Sequence, residues 1–210
     1  DVRSSRVPEQ LPLIGTKSTT QSKFSPVTPE KLLTQPDLLD DTERGHSIRH
    51  TVVDTWLGPM LVAATGRGIF RVQFGDDEAR LRDAFVAEFS NTTILEPDDE
   101  FHSLVRQTIE VVETGHTKDI PLDVAGTAFE IRVWHALRRI PAGVTVTYGD
   151  RARGIGQPTA SRAVAPACGS NEIAVLIPCH RVVGKDGSLT GYRWGVERKK
   201  ALLERELSLQ

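Results

Sequence analysis

The hydrophobic pattern divides the chain into an unpatterned stretch and two halves of different character. Residues 1–46 show no sustained periodicity and are rich in Ser, Thr, Pro and Gln, as in Lys17-Ser18-Thr19-Thr20-Gln21-Ser22, with Pro26, Pro29 and Pro36 interrupting the rest. Such a composition buries too little apolar surface to offset the entropy of ordering, so a disordered tail or interdomain linker is expected, with room for a short helical turn over residues 29–39. From Ser47 three strand-like runs follow, at 48–55, 60–64 and 69–74, separated by the turn sequences Leu57-Gly58-Pro59 and Thr65-Gly66-Arg67-Gly68. They predict a three-stranded antiparallel meander. Asp76 and Asp77 offer N-caps to a helix with Leu81, Ala84, Phe85 and Phe89 on one face. After a polar loop through Pro97, the spacing of Phe101, Leu104, Val105, Ile109 and Val112 marks a second helix, stopped by Gly115. This half reads as sheet plus helices, with a scaffolding role.

The pattern changes after Pro121-Leu122-Asp123-Val124. Thr127-Ala128-Phe129-Glu130 is a capping box, with Thr at the N-cap and Glu at N3. It opens a helix whose buried stripe is Phe129, Val133, Leu137 and Ile140, ended by Pro141-Ala142-Gly143. A short segment at 144–147 leads to Tyr148 and a brief helix. Gly154-Ile155-Gly156-Gln157-Pro158 then turns the chain into a second short helix over 159–167. Two short helices across a glycine-containing turn form a helix-turn-helix candidate, the second placed to meet DNA. Pro166 opposes it: proline cannot donate to the carbonyl of Arg162, so the helix is expected to bend or end near Arg162-Ala163-Val164. The divisions that follow are 1–46, 47–122 and 123–210, and the fold class is α+β.

Bulk properties narrow the function classes. At 210 residues, 39% of them hydrophobic, the chain holds one large domain or two small ones. No run approaches the ~18 apolar residues of a membrane span, and no signal-peptide pattern opens the chain, which begins at Asp1. Net charge is −2, but residues 1–122 carry 13 Lys+Arg against 20 Asp+Glu, and residues 123–210 carry 13 against 8. A basic half on an acidic half suggests a polyanion partner for the C-terminal part; a harmless surface bias is the alternative. The two cysteines, Cys168 and Cys179, make no disulfide framework, which points to a reducing compartment. Without a CxxC pair, and with His50, His102, His116 and His135 scattered, no zinc site is expected.

One stretch carries candidate chemistry. In Ile177-Pro178-Cys179-His180-Arg181-Val182-Val183 a cysteine sits beside a histidine, between an apolar run and a glycine-rich loop. A thiolate is the nucleophilic form of cysteine, and a neighbouring imidazole is one way to lower its pKa. The bland alternative is a small buried hydrophobe next to a chance histidine.

Several spaced elements now agree in order and distance with one family. Arg138-Arg139-Ile140-Pro141-Ala142-Gly143, Val146-Thr147-Tyr148-Gly149, Ser161-Arg162-Ala163-Val164-Ala165, Ser170-Asn171, the Cys179 stretch, Gly191-Tyr192-Arg193-Trp194-Gly195 and Leu202-Leu203-Glu204-Arg205-Glu206 together resemble the O6-alkylguanine-DNA alkyltransferases. The last two are most similar to the C-terminal domain of bacterial adaptive-response proteins, and the resemblance spans about residues 47–210. It implies an RNase H-like N-terminal subdomain and a helical C-terminal subdomain with a winged helix-turn-helix. It implies one-way transfer of a methyl group from O6-methylguanine, and from O4-methylthymine, to Cys179. His180 would deprotonate the thiol through a water, with Glu206 orienting the imidazole. Asn171 would be a hinge, Tyr148 would press on the target phosphate and donate a proton, and Arg162 would fill the gap left by a flipped nucleotide. Tyr192 would form a pocket wall, with backbone groups of Val182 and Arg193 contacting the base, while Trp194 would narrow the pocket against benzyl-sized groups.

Family members with N-terminal metal ligands are not matched, since no cysteine precedes Cys168, so no metal is expected, and the lack of a long apolar run argues against a membrane. The resemblance further implies no cofactor, a monomer, alkylated double-stranded DNA as partner, and action at the bacterial nucleoid or in a eukaryotic nucleus. Each role has a plain rival: Glu206 as a solvated helix charge, Tyr148 and Tyr192 as core aromatics, Arg162 as a surface charge, Asn171 as a helix stop. Cys168 reads as buried packing. The competing functions are a sensor of alkylated bases, disfavoured by the retained Cys179, a fragment of a larger adaptive-response regulator, and a Cys-His hydrolase, disfavoured by the lack of an oxyanion hole.

Overall fold

A computed structural model describes residues 47–116 and 118–210. The tail or linker expected over 1–46 lies outside the described residues. The meander forms as β1 (Ser47–Thr55), β2 (Gly58–Thr65) and β3 (Gly68–Phe74), with β2 antiparallel to both neighbours. Alternation along β2 sends Met60, Val62 and Ala64 to the main core, and Leu61 and Ala63 to a smaller one on the opposite face. That second face is covered by α1 (Glu78–Glu88), capped by Asp77, whose side chain accepts from Arg80 N. Only Phe85 of α1 is fully buried; Leu81 and Phe89 flank it, and Ala84 is exposed.

The expected three-stranded sheet has a fourth member. β4 (Thr93–Ile94) pairs parallel to β1, giving the order β3-β2-β1-β4. Two residues inside a polar loop carry no alternation from which a strand can be read. α2 (Asp99–Thr114) lays Phe101, Val105, Val111 and Val112 into the core and ends, as its sequence predicts, at Gly115 in the left-handed conformation.

The second half opens on α3 (Ala128–Leu137). Its capping box is complete: Thr127 Oγ1 accepts from Glu130 N, and Glu130 Oε2 accepts from Thr127 N. A second capping box, Thr147 with Asp150, starts α4 (Tyr148–Gly154) immediately after β5 (Val146–Thr147). α5 (Ser161–Gly169) packs against α3 and α4. A single 3₁₀ turn, Cys179–Arg181, then runs into β6 (Val182–Val183), which pairs parallel with β5, and α6 (Val196–Ser208) closes the chain.

Pro166 does not end its helix. α5 begins two residues later than expected and continues past the proline to Gly169. The missing N–H costs one bond, but burial of Val164, Ala167 and Cys168 holds the turn, and Trp134 Nε1 donates to Ala167 O at 2.6 Å. Tertiary packing outweighs the local penalty here.

The two halves share one core, and the edge of β3 joins them. Ile69 N donates to Pro121 O and Asp123 N to Ile69 O, both at 2.9 Å. Further along, Val72 N donates to Glu172 O and Ala174 N to Val72 O. The backbone leading to Cys179 is therefore stitched to the N-terminal sheet.

Candidate active site

Cys179 lies at the start of the 3₁₀ turn and is buried, 5% exposed. The approach to it is a tight backbone passage in which Val175 takes a positive φ of 57°, uncommon for a β-branched residue and a sign of local strain. Asn171 holds that passage from within. Its Nδ2 donates to Ile177 O at 2.9 Å and to Cys179 Sγ at 3.2 Å, while its Oδ1 accepts from Ile173 N at 2.9 Å. One amide thus ties the end of α5 to the sulfur. A cavity of about 250 Å³ lies behind Asn171 and Ile177; Cys179 does not line it.

Beside Cys179, His180 and Arg181 turn inward onto α6. His180 Nε2 lies 2.9 Å from Glu206 Oε1. Arg181 donates from Nε to both Glu206 oxygens at 3.1 Å and from Nη2 to Oε1 at 2.7 Å. It also donates to the carbonyls of Ile140 and Gly115, and Gly143 N donates to Glu206 Oε2 at 3.0 Å. All three side chains are almost fully buried. The close approach explains Gly115: a Cβ there would stand 2.8 Å from Glu206 Cγ.

Electrostatics follow from burial and partners. Burial raises the Glu206 carboxyl, but the bonds and charge of His180 and Arg181 outweigh it and bring the group down to about 2. Burial holds His180 below the usual imidazole range against the upward pull of Glu206. His180 is then neutral at pH 7, where the hydrogen bonds from both residues and the permanent charge on Arg181 keep Glu206 ionised; the charge of His180 adds to this only at acid pH, where the ring is protonated. An ionised carboxylate accepts only, so Nε2 carries the imidazole proton and Nδ1 keeps its lone pair. That Nδ1 is buried with no protein partner. The expectation that the imidazole lowers the cysteine pKa is not met: burial pushes the thiol up to about 11, with the Asn171 amide and the Lys199 ammonium pulling the other way. The His180 ring is engaged with Glu206, and Cys179 receives its only side-chain hydrogen bond among the described residues from Asn171.

Tyr192 forms the next layer. Its ring meets His180 edge-on at 6.3 Å and Trp194 at 5.1 Å, and its buried hydroxyl has no partner. Burial raises its pKa well above the usual phenol range. Tyr148, at the first turn of α4, faces Thr190 Oγ1 at 3.4 Å, and burial raises its phenol too. Val182 is buried in β6. Arg193 is 40% exposed, with Nη2 on Glu172 Oε1 at 2.9 Å. Arg162 stands exposed on the first turn of α5, away from the buried array. Cys168 is buried in the core, and burial pushes its thiol up to about 12.

Two buried residues had no role in the sequence reading. Arg181 was quoted only as part of the motif. Lys199, fully buried on α6, donates to Val182 O at 2.6 Å, Thr190 O at 2.9 Å and Gly191 O at 3.4 Å. A signal for it existed: Lys199, Leu202, Leu203 and Glu206 follow i, i+3, i+4, i+7 spacing, so two charges stand on the apolar stripe of one helix. Among the described residues no three His, Cys, Asp or Glu side chains gather as metal ligands, and no helix is long and apolar enough to cross a membrane.

A buried cysteine turn and the packed short helices α4 and α5 are thus mounted on a small sheet module, and known proteins share both parts. Residues 48–113 match the 6-O-methylguanine DNA methyltransferase ribonuclease-like domain, and residues 128–208 match the DNA-binding domain of the same family. The chain is 37% identical over 161 residues to the methylated-DNA–protein-cysteine methyltransferase of Methanosarcina acetivorans, covering 75% of this chain and 97% of that one. It is 47% identical over 161 residues to the bifunctional transcriptional activator/DNA repair enzyme Ada of Escherichia coli, covering 76% of this chain but only 46% of Ada. The chain therefore spans about half the length of that relative. The crystal structure of Mycobacterium tuberculosis OGT in complex with DNA superposes with a TM-score of 0.63 at 37% identity, covering 78% of this chain and 94% of that one. The chain belongs to the methylated-DNA–protein-cysteine methyltransferase family.

Proposed function

We propose that this chain repairs alkylated double-stranded DNA by moving the methyl group of O6-methylguanine, and of O4-methylthymine, onto Cys179 Sγ. The observation that carries the reading is a buried sulfur held by the Asn171 amide, next in the chain to a buried His180 locked by Glu206 and Arg181. Attack at a methyl carbon is a displacement: the S–C bond forms as the C–O bond breaks, and the electron pair leaves on O6 of the base. The thiol proton passes to His180 Nδ1, the nitrogen with the free lone pair, through a bridging water, and returns to the freed base. Glu206 and Arg181 hold the imidazole in that tautomer. No oxyanion needs a cradle, and the thioether product has no second half-reaction, so each molecule acts once.

The other roles follow the same reading. Arg162, exposed on α5, fills the stack vacated by the flipped nucleotide, and Tyr148 presses on its phosphate and relays a proton to the base, regaining its own from the one taken off the thiol, so that the base gains one proton in all. Tyr192 walls the pocket, with the Val182 and Arg193 backbone at the base edge. Residues 47–122 and 123–210 serve as scaffold and as DNA-binding, acceptor-bearing part, and the protein acts as a monomer at the nucleoid or in a nucleus. The test is to mix protein with a duplex containing O6-methylguanine and take an intact mass and peptide map. One added methyl on Cys179, absent in Cys179→Ser, is expected; tight binding with no gain in mass would sink the proposal in favour of a sensor.

A further inference from the structure

The loop at 190–195, which carries Tyr192 and Trp194, has no regular structure of its own. Its backbone start is held from within the C-terminal half, by Lys199 on the carbonyls of Thr190 and Gly191. Its far end is held differently, by two tethers: Arg198 reaches the N-terminal sheet directly, and Arg193 is linked to it through Glu172.

The first is Arg198 on α6. It donates from Nη1 to Trp194 O at 3.1 Å, from Nε to Leu57 O at 3.0 Å and from Nη2 to Gly75 O at 2.8 Å. Leu57 lies in the turn between β1 and β2, and Gly75 directly follows β3. One planar guanidinium thus fixes the Trp194 backbone against two ends of the sheet. The second tether is Arg193, paired with Glu172. Glu172 also pairs with Arg71 of β3, whose guanidinium is bidentate to Glu88 at 2.6 and 2.8 Å and lies over the Phe89 ring at 5.2 Å. Arg71 is 7% exposed, so it is a fixed post. Glu172 is placed in turn by its own carbonyl, which accepts from Val72 N.

We propose that the N-terminal sheet sets the width of the base pocket through these two tethers, with Arg198 and Glu172 as positioning residues for Trp194 and Tyr192. Neither touches the reacting atoms. Both hold the loop in, so that the buried Trp194 packs edge-on against Tyr192 and the pocket admits small O6 substituents in preference to large ones. This gives the N-terminal half a part in substrate choice, and it rests on the proposed alkyl transfer to Cys179.

The test measures the rate of Cys179 alkylation, by intact mass, with duplexes carrying O6-methylguanine or O6-benzylguanine. Wild type is expected to react more slowly with benzyl. Glu172→Gln should raise the benzyl-to-methyl ratio by up to about fivefold, the scale of an exposed ion pair, and Arg198→Gln should raise it further. A purely structural role would slow both substrates alike and leave the ratio where it was. A thermal melt reports whether Arg198→Gln folds; if it does not, Glu172→Gln carries the test alone. A ratio within about twofold of wild type in the folded variants overturns the inference. Wild type taking up no methyl at all overturns the underlying transfer reading instead.

Discussion

Replacing Glu206 by Gln tests the buried array most directly. The carboxylate accepts from His180, from three Arg181 geometries and from Gly143 N, and it is 3% exposed. The amide keeps the volume but removes the charge, leaving Arg181, 1% exposed, without a counter-ion. Breaking one side of a buried pair costs about 3–5 kcal/mol, because the surviving charge stays desolvated. Set against a total stability of about 5–15 kcal/mol, this is a large fraction. For a chain of this size it lowers the melting temperature by roughly 6–20 °C. The assay is urea and thermal unfolding of wild type and Glu206→Gln at neutral pH, with Arg181→Met and the double variant completing the cycle. The double variant should cost clearly less than the two single losses together, since it strands no charge. The pH dependence gives an independent readout. Glu206 titrates at about 2 when folded against 4.5 unfolded, so its contribution is complete above about 4.5 and is lost as pH falls toward 2. The loss is on the order of 3 kcal/mol, and Glu206→Gln should flatten that part of the acid limb. A Glu206→Gln penalty below about 0.5 kcal/mol, as for a solvated surface charge, would refute the reasoning.

Two further outcomes follow. At the alkaline end the sign reverses: Cys179 and Cys168 titrate at about 11 and about 12 when folded against 9.0 unfolded, so their stabilisation is complete below 9 and fades as pH rises through those values. Protein methylated on Cys179 has no thiol to titrate there, and its unfolding curve should fall less steeply above pH 9; identical curves would contradict the assigned thiol. Pro166→Ala restores the N–H that α5 lacks at an exposed position and should stabilise the protein by about 1–3 kcal/mol, after allowing for the looser unfolded chain. A loss of stability on calorimetry would mean that the proline is fitted to the turn.

Much of the architecture was legible because local signals agreed with one another. Thr127 with Glu130, Asp77 before α1 and Gly115 after α2 each act on their own neighbours, so their sequences announce them. β4 and the course of α5 were not legible. A two-residue strand has no period, and α5 survives Pro166 through contacts with Trp134, thirty-three positions from Ala167 in the chain. The site divides in the same way. Cys179 and His180 stand out as neighbours in sequence, whereas Glu206 looks like one more charge in a helix rich in Lys and Arg until the stripe of Lys199, Leu202 and Leu203 is counted. Its partners are 25 and 26 residues away, and no local rule links them.

The departure from expectation at Cys179 bears on how a single-use acceptor is kept intact. A thiolate stabilised at rest would be nucleophilic toward any electrophile small enough to enter. Here burial keeps the sulfur protonated, with a pKa of about 11, and His180 neutral, with its Nδ1 lone pair available. The Glu206–Arg181 pair does not charge the imidazole in advance; it fixes which nitrogen can receive a proton. On the proposed mechanism the thiolate therefore forms only as the base arrives and supplies the final destination for the proton. Asn171 and Lys199 are placed to ease that step, since each already favours the ionised sulfur. Removing the amide by Asn171→Ala should then slow methyl uptake, steepen its dependence on pH toward the alkaline side and raise the kinetic pKa of the acceptor. An unchanged pH–rate profile would show that Asn171 serves only to hold the backbone between Ile173 and Ile177.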